Sequence, residues 1–196
     1  MKINIVVINE NQLVEECLKG TQRAFKTIYE NYKGYVYTIC IRYGVSQIEI
    51  KDSMQIIFTE VFSSLKNYDN SKSKFKTWMT RITINQILMQ KRKKRIAYET
   101  LENEKINLIK YDSSESIESK IDEKKLYALL SKMPQKYITV FNLFIIDGYN
   151  HKEIAGLLNI KESTSRVLLY RGRDWAVKEL KIQFKDKVSS FKEKSI

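Results

Sequence analysis

The residues with the clearest chemistry lie in two basic blocks, and the sharper of them is Tyr149–Arg173. This stretch reads as two short helices joined by a tight turn, the layout that places a second helix in a DNA major groove. Asn150 caps the first helix and Glu153, three residues on, completes a capping box. Ile154, Leu157 and Leu158 form one apolar face, and Ala155 leaves room for a crossing helix. Asn159 tolerates the left-handed conformation that ends a helix, and Ile160 plugs the corner. On the second helix Val167, Leu168 and Trp175 are expected to point inward. Ser165, Arg166 and Arg173 then point outward, where guanidinium forks and hydroxyls read bases and hold phosphates.

The second block surrounds a predicted helix that starts near Phe75. Lys72, Lys74, Lys76, Arg81 and the run Lys91, Arg92, Lys93, Lys94, Arg95 lie close in sequence to Tyr68, Phe75 and Trp78. Cations beside aromatics suit single-stranded or melted nucleic acid, whose phosphates pair with charge and whose bases stack.

Charge along the 196 residues supports both blocks. The net charge is +12, with 35 basic and 23 acidic side chains. Residues 1–65 are balanced, with seven of each sign, whereas residues 66–95 carry ten basic groups and one acidic group. Residues 96–125 reverse this with five basic and eight acidic, and 161–196 carry ten basic against five. Separate positive blocks attract phosphate backbones, and the attraction weakens with salt. The acidic stretch 96–121, Ser-rich at its centre, reads as a flexible tether with a helical turn near Ile106 to Ile109.

The elements that must position these groups are helices. One proline and six glycines favour long helices over turn-rich sheets. Leu13, Cys17 and Leu18 and then Ala24, Phe25, Ile28, Tyr29 and Tyr32 follow a helical period that turns at Gly20. Tyr35, Val36, Ile39, Cys40 and Tyr43 continue it to a stop at Gly44. A third helix runs from about Ile48 to Leu65 with Met54, Ile57, Phe58, Val61 and Phe62 inward. The fourth places Trp78, Met79, Ile82 and Leu88 inward. The expected fold is therefore all-α: a helical bundle over 10–95, a linker over 96–121, a helix-turn-helix domain over 122–181 and a basic tail over 182–196, to which no role is assigned. Cys17 and Cys40 read as reduced core residues of a cytoplasmic protein. The opening residues lack a signal peptide, and no run is long enough for a membrane span.

Three stretches resemble the extracytoplasmic-function (ECF) sigma factors, the small promoter-recognition subunits of bacterial RNA polymerase. Asp52, Gln55, Ile56, Ile57 and Phe58 followed by Glu60, Val61 and Phe62 are similar to the family's D-x-x-Q-E-V-F helix. Tyr68 and Asp69 through Phe75, Trp78, Ile82 and Asn85 into Arg92 are similar to its F-x-x-W-x-x-x-I-x-x-N block. Met133, Pro134, Val140, Phe141, Glu153, Ile154, Ala155, Thr164, Arg171, Gly172 and Arg173 are similar to its C-terminal module.

The resemblance implies roles for particular residues. The helix carrying Asp52, Gln55, Ile56 and Glu60 is expected to dock on the clamp helices of core RNA polymerase. The loop with Asp69, Asn70 and Lys74 is expected to hold an extruded minus-10 base, a step that costs a few kcal/mol. Trp78, Arg81, Asn85, Lys91, Arg92, Lys94 and Arg95 are then expected to face that DNA. In the C-terminal module Lys161, Glu162, Ser163, Thr164, Ser165, Arg166, Arg171 and Arg173 are expected to read the minus-35 duplex, the other face meeting the polymerase flap. The resemblance further implies inhibition by an anti-sigma factor, which in this family is often membrane-anchored. Four positions depart from the pattern: Ile56 and Met89 stand at acidic places, Ile138 at an arginine place, and Gly172 replaces an alanine.

Other classes fit less well. His151 is the single histidine, and no P-loop, nucleophile motif or metal-ligand cluster is evident, so no enzyme, metal, cofactor or small-molecule substrate is expected. A serine recombinase needs a strand-rich catalytic domain where this chain is helical. The alternative is a duplex-DNA-binding helix-turn-helix regulator whose N-terminal bundle dimerises. Such a bundle needs an apolar seam on its fourth helix, which is instead basic and aromatic. A protein that only binds other proteins leaves both basic blocks unexplained.

Overall fold

The computed structural model describes residues 9–101 and 132–193, with side chains described over 9–94 and 132–181. The helical turn expected near Ile106, most of the tether, and the last residues of the tail lie outside them. The chain divides into two compact units, Met1–Ile106 and Asn107–Ile196. Among the described residues there is no strand.

Among the described residues the first unit is built on four α-helices: α1 (Glu10–Leu18), α2 (Gln22–Arg42), α3 (Ile50–Ser64) and α4 (Phe75–Leu101). Asn9 caps α1, its side-chain oxygen accepting from the Gln12 amide at 3.3 Å, and Glu10 complements the dipole in the first turn. Gly20, at φ +81°, makes the turn into α2. At the far end of α2 the Val45 amide donates to the Cys40 carbonyl (2.9 Å) and Gly44 to Ile41 (2.8 Å). This paired closure requires the left-handed backbone that Gly44 adopts at φ +70°. Ala24, Ile28, Val36, Ile39 and Cys40 from α2 bury against Ile57, Phe58 and Val61 of α3 and Phe75, Met79, Ile84 and Ile87 of α4.

Two details differ from the sequence reading. Helix α3 starts at Ile50 rather than Ile48, and Ile48 is almost fully exposed. Helix α4 continues to Leu101, past Ile96 where the tether was expected to begin.

Among the described residues the second unit contains α5 (Gln135–Phe141), a π-helical turn over Asn142–Ile146, α6 (His151–Leu158) and α7 (Glu162–Glu193). Pro134, which has no amide hydrogen to leave unpaired, opens α5. The capping box forms as expected: Asn150 Oδ1 accepts from the Glu153 amide (2.9 Å) and Glu153 Oε2 from the Asn150 amide (2.8 Å). Asn159 ends α6 in the left-handed region at φ 53°, ψ 51°. Met133, Ile138, Val140, Leu143, Ile154 and Leu169 form the core. Gly172 lies where α7 crosses α5: a Cβ there would sit 3.4 Å from Tyr137 Cβ and 3.8 Å from Met133 Sδ.

Candidate nucleic-acid interface

In the first unit the loop before α4 is held by Asp69. Its Oδ1 accepts from the Ser71 amide (2.9 Å) and the Ser71 hydroxyl (2.7 Å), and Oδ2 pairs with Lys72 at 3.3 Å. These hydrogen bonds, above all that from Ser71, hold the carboxyl below its ordinary value. Asp69 thus shapes the loop that presents Asn70 and Lys74, which are themselves exposed. Behind the loop, Tyr68, Phe75 and Trp78 pack with ring centroids 5.3 to 5.6 Å apart, and Tyr32 joins Phe75 at 5.5 Å. Trp78 is half-buried in this cluster.

Beside it lies an open recess of about 430 Å³ lined by Asn9, Glu10, Asn11, Tyr68, Asn70, Lys74 and Phe75. The contribution of α1 was missed from sequence. Glu10 Oε1 accepts from the Tyr32 hydroxyl, a link across 22 residues that no local pattern signals.

The basic run at the end of α4 is split by helix geometry. Lys74, Trp78, Arg81, Asn85, Met89 and Arg92 recur at three- and four-residue spacing and share one face, all but Trp78 exposed. Lys91 and Lys94 belong to the opposite face. The Lys91 ammonium donates to the Tyr43 carbonyl. Burial first, then the neighbouring Lys94 charge, push it down to about 8. Lys94 pairs with Glu49, whose carboxyl is lowered chiefly by that bond. Of the two lysines expected to face DNA, Lys91 is thus turned into the α2–α3 corner, and Lys94, itself exposed, is paired at the same corner. The side chain of Arg95 lies outside the described residues.

Expected polymerase contacts sit on α3. Asp52, Gln55 and Ile56 are exposed, Ile56 at 47%. Glu60 is half-buried and accepts from the Ser64 hydroxyl at 3.0 Å. Gln55 also lines an open apolar groove of about 360 Å³ with Tyr29, Lys51, Met54, Phe58, Thr59 and Phe62.

In the second unit the register of α7 differs from expectation. Ser165 is fully buried rather than outward, its hydroxyl 2.9 Å from His151 Nδ1. His151 stacks on Phe144 with centroids 4.6 Å apart, and the Arg173 guanidinium lies 5.8 Å from the Phe144 ring centroid. Burial, then the nearby Arg166 charge, lower the His151 imidazole below its ordinary value. The inward line is Ser165, Leu169 and Gly172, so Val167, expected inside, is exposed at 47% and Tyr170 at 74%. Lys161, Glu162, Ser163, Thr164, Arg166, Arg171 and Arg173 are exposed. Arg166 is drawn back along the helix to Glu162. Sequence reasoning placed Val167 inside because apolarity argued for burial, and it made no reading of Tyr170.

Both cysteines are free and buried, burial pushing Cys17 up to about 11 and Cys40 up to about 12. Among the described residues no group of side chains is arranged to hold a metal, and no helix is long and apolar enough to cross a membrane.

Two basic helical units of this form are those of the sigma-70 class: residues 28–96 match the sigma-70 region 2 family and residues 123–175 match sigma-70 region 4. The chain is 30% identical over 183 residues to the ECF RNA polymerase sigma factor SigW of Bacillus subtilis, covering 86% of this chain and 95% of that one. It is 26% identical over 178 residues to the ECF sigma-E factor of Haemophilus influenzae, covering 85% and 93%. Among solved structures, the fold is similar to sigma factor RpoE of Bartonella quintana, in complex with the anti-sigma factor NepR. The TM-score is 0.56 at 15% identity, over 81% of this chain and 97% of that one. CnrH, in complex with the cytosolic domain of CnrY, gives 0.50 at 19% identity, over 88% and 97%. The chain belongs to the ECF sigma factors, and it directs RNA polymerase to initiate transcription at specific promoters.

Proposed function

We propose that the two units divide promoter recognition between melted and duplex DNA. The observation that carries this reading is the single face of α4 on which Lys74, Trp78, Arg81, Asn85 and Arg92 align beside an aromatic platform and an open recess. Melted DNA supplies phosphates for the cations and an unstacked minus-10 base for the recess. Asp69 acts through the loop it folds, whereas Asn70 and Lys74 line the recess itself. Asp52, Gln55 and Ile56 on α3 form the patch that grips the clamp helices of core polymerase, with Glu60 at its edge. In the second unit α7 enters the minus-35 major groove with Ser163, Arg166 and Arg171 outward, flanked by Lys161, Thr164 and Arg173, while the other face meets the flap.

In this reading the chain works in the cytoplasm, has no catalytic activity or small-molecule substrate of its own, and is held inactive by an anti-sigma protein. The structures of CnrH with CnrY and RpoE with NepR support that partner class.

Permanganate reactivity of thymines on a promoter bound by holoenzyme tests the melting face. Replacing Arg81 and Asn85 together by alanine should abolish reactive minus-10 thymines while association with core polymerase persists. Reactive thymines at the level of the unaltered chain would refute the assignment.

A further inference from the structure

We infer that Val167 reads a thymine methyl group in the minus-35 duplex, with Tyr170 extending the same apolar strip along the groove. The inference rests on the assignment of α7 to that duplex and names what the helix selects. Ser163, Val167 and Tyr170 lie at i, i+4 and i+7 on the outward face, opposite the buried Ser165, Leu169 and Gly172. At about 1.5 Å per residue this line is about 10 Å long, enough to follow roughly three base pairs. Lys161, Arg166 and Arg171 flank it with positive charge, which complements the phosphates on either side.

The centre of the face is poorer in polar readers than its sequence suggests. The Ser165 hydroxyl, expected outward, is turned inward to His151. What remains at the centre is an isopropyl group and a phenol ring, exposed at 47% and 74%. The floor of the major groove offers a single apolar partner, the C5-methyl of thymine. A G·C pair offers Val167 no such methyl, so an A·T pair is favoured at the position beneath it.

The test uses holoenzyme assembled from core RNA polymerase and the full chain, selected on a promoter library randomised over the minus-35 element. Each thymine of the selected element is then replaced in turn by deoxyuridine, which removes only the methyl group. One such replacement should weaken binding by the unaltered chain about fourfold, the loss of one buried methyl, and should not affect V167A. Because Val167 is exposed, V167A is expected to fold normally. Tolerance of deoxyuridine at every thymine, or an equal loss for both chains, would overturn the inference while leaving α7 as the duplex reader. If the unaltered chain transcribes but selects no minus-35 sequence, the assignment of α7 fails as well, and the inference with it.

Discussion

The split of the basic run on α4 makes a quantitative prediction about salt. Binding that neutralises phosphates releases counterions, so the logarithm of affinity falls with the logarithm of salt concentration, by about 0.7 per phosphate for single strands and 0.9 for duplex. Arg81 is exposed on the face shared with Trp78 and Asn85, so R81A should reduce the slope by roughly 0.7 to 0.9. Lys94 pairs with Glu49 on the opposite face, so K94A should leave the slope unchanged. Its effect should instead appear in folding. Both partners are about half exposed, which limits the loss to about 1 kcal/mol or less. The assay is holoenzyme binding to a promoter fragment pre-opened at the minus-10 element, titrated over a series of potassium chloride concentrations. A slope reduced as much by K94A as by R81A would refute the assignment of faces.

Other substitutions test the packing. G172A should raise the thermal stability of the second unit by up to about 1 kcal/mol through helix propensity, because the added Cβ meets Tyr137 at an ordinary contact distance of 3.4 Å. Lost stability on thermal unfolding would show that the crossing is tighter. I57A, at a fully buried position, should cost about 2 to 5 kcal/mol in denaturant unfolding, whereas V167A should stay within about 0.5 kcal/mol. The imidazole of His151 is lowered in the folded unit, so the unfolded chain binds more protons just below pH 6.5. Stability of the second unit should therefore fall as pH drops through about 6.5. Trp175 fluorescence in a W78F background reads that unit, and H151N should flatten the dependence in this window.

Features governed by near neighbours in the chain were legible from sequence. The capping box of Asn150 and Glu153, the left-handed Asn159 and the glycine stops at Gly20 and Gly44 are each decided within a few residues. Register on α7 was not, because its pattern runs against hydropathy. The inward line includes a serine that hydrogen-bonds to His151 and a glycine beside Tyr137, while valine and tyrosine face out. The run Lys91 to Arg95 was read by composition, yet successive helical residues point about 100° apart. Two of its lysines consequently bond to the Tyr43 carbonyl and to Glu49. The α1 wall of the recess was invisible because it depends on a tertiary contact between Glu10 and Tyr32. The patch on α3 proposed to bind core polymerase came only through resemblance, since exposed polar residues carry no periodic signal.

Run-off transcription with bacterial core RNA polymerase, with and without this chain, on a pooled library of genomic promoters tests the central claim most directly. The account predicts discrete start sites that require the chain and vanish when Arg92 and Arg166 are both replaced by alanine in a chain that still folds and binds core polymerase. Failure to start transcription with the cognate host's polymerase, while the chain still shifts duplex DNA, would contradict it.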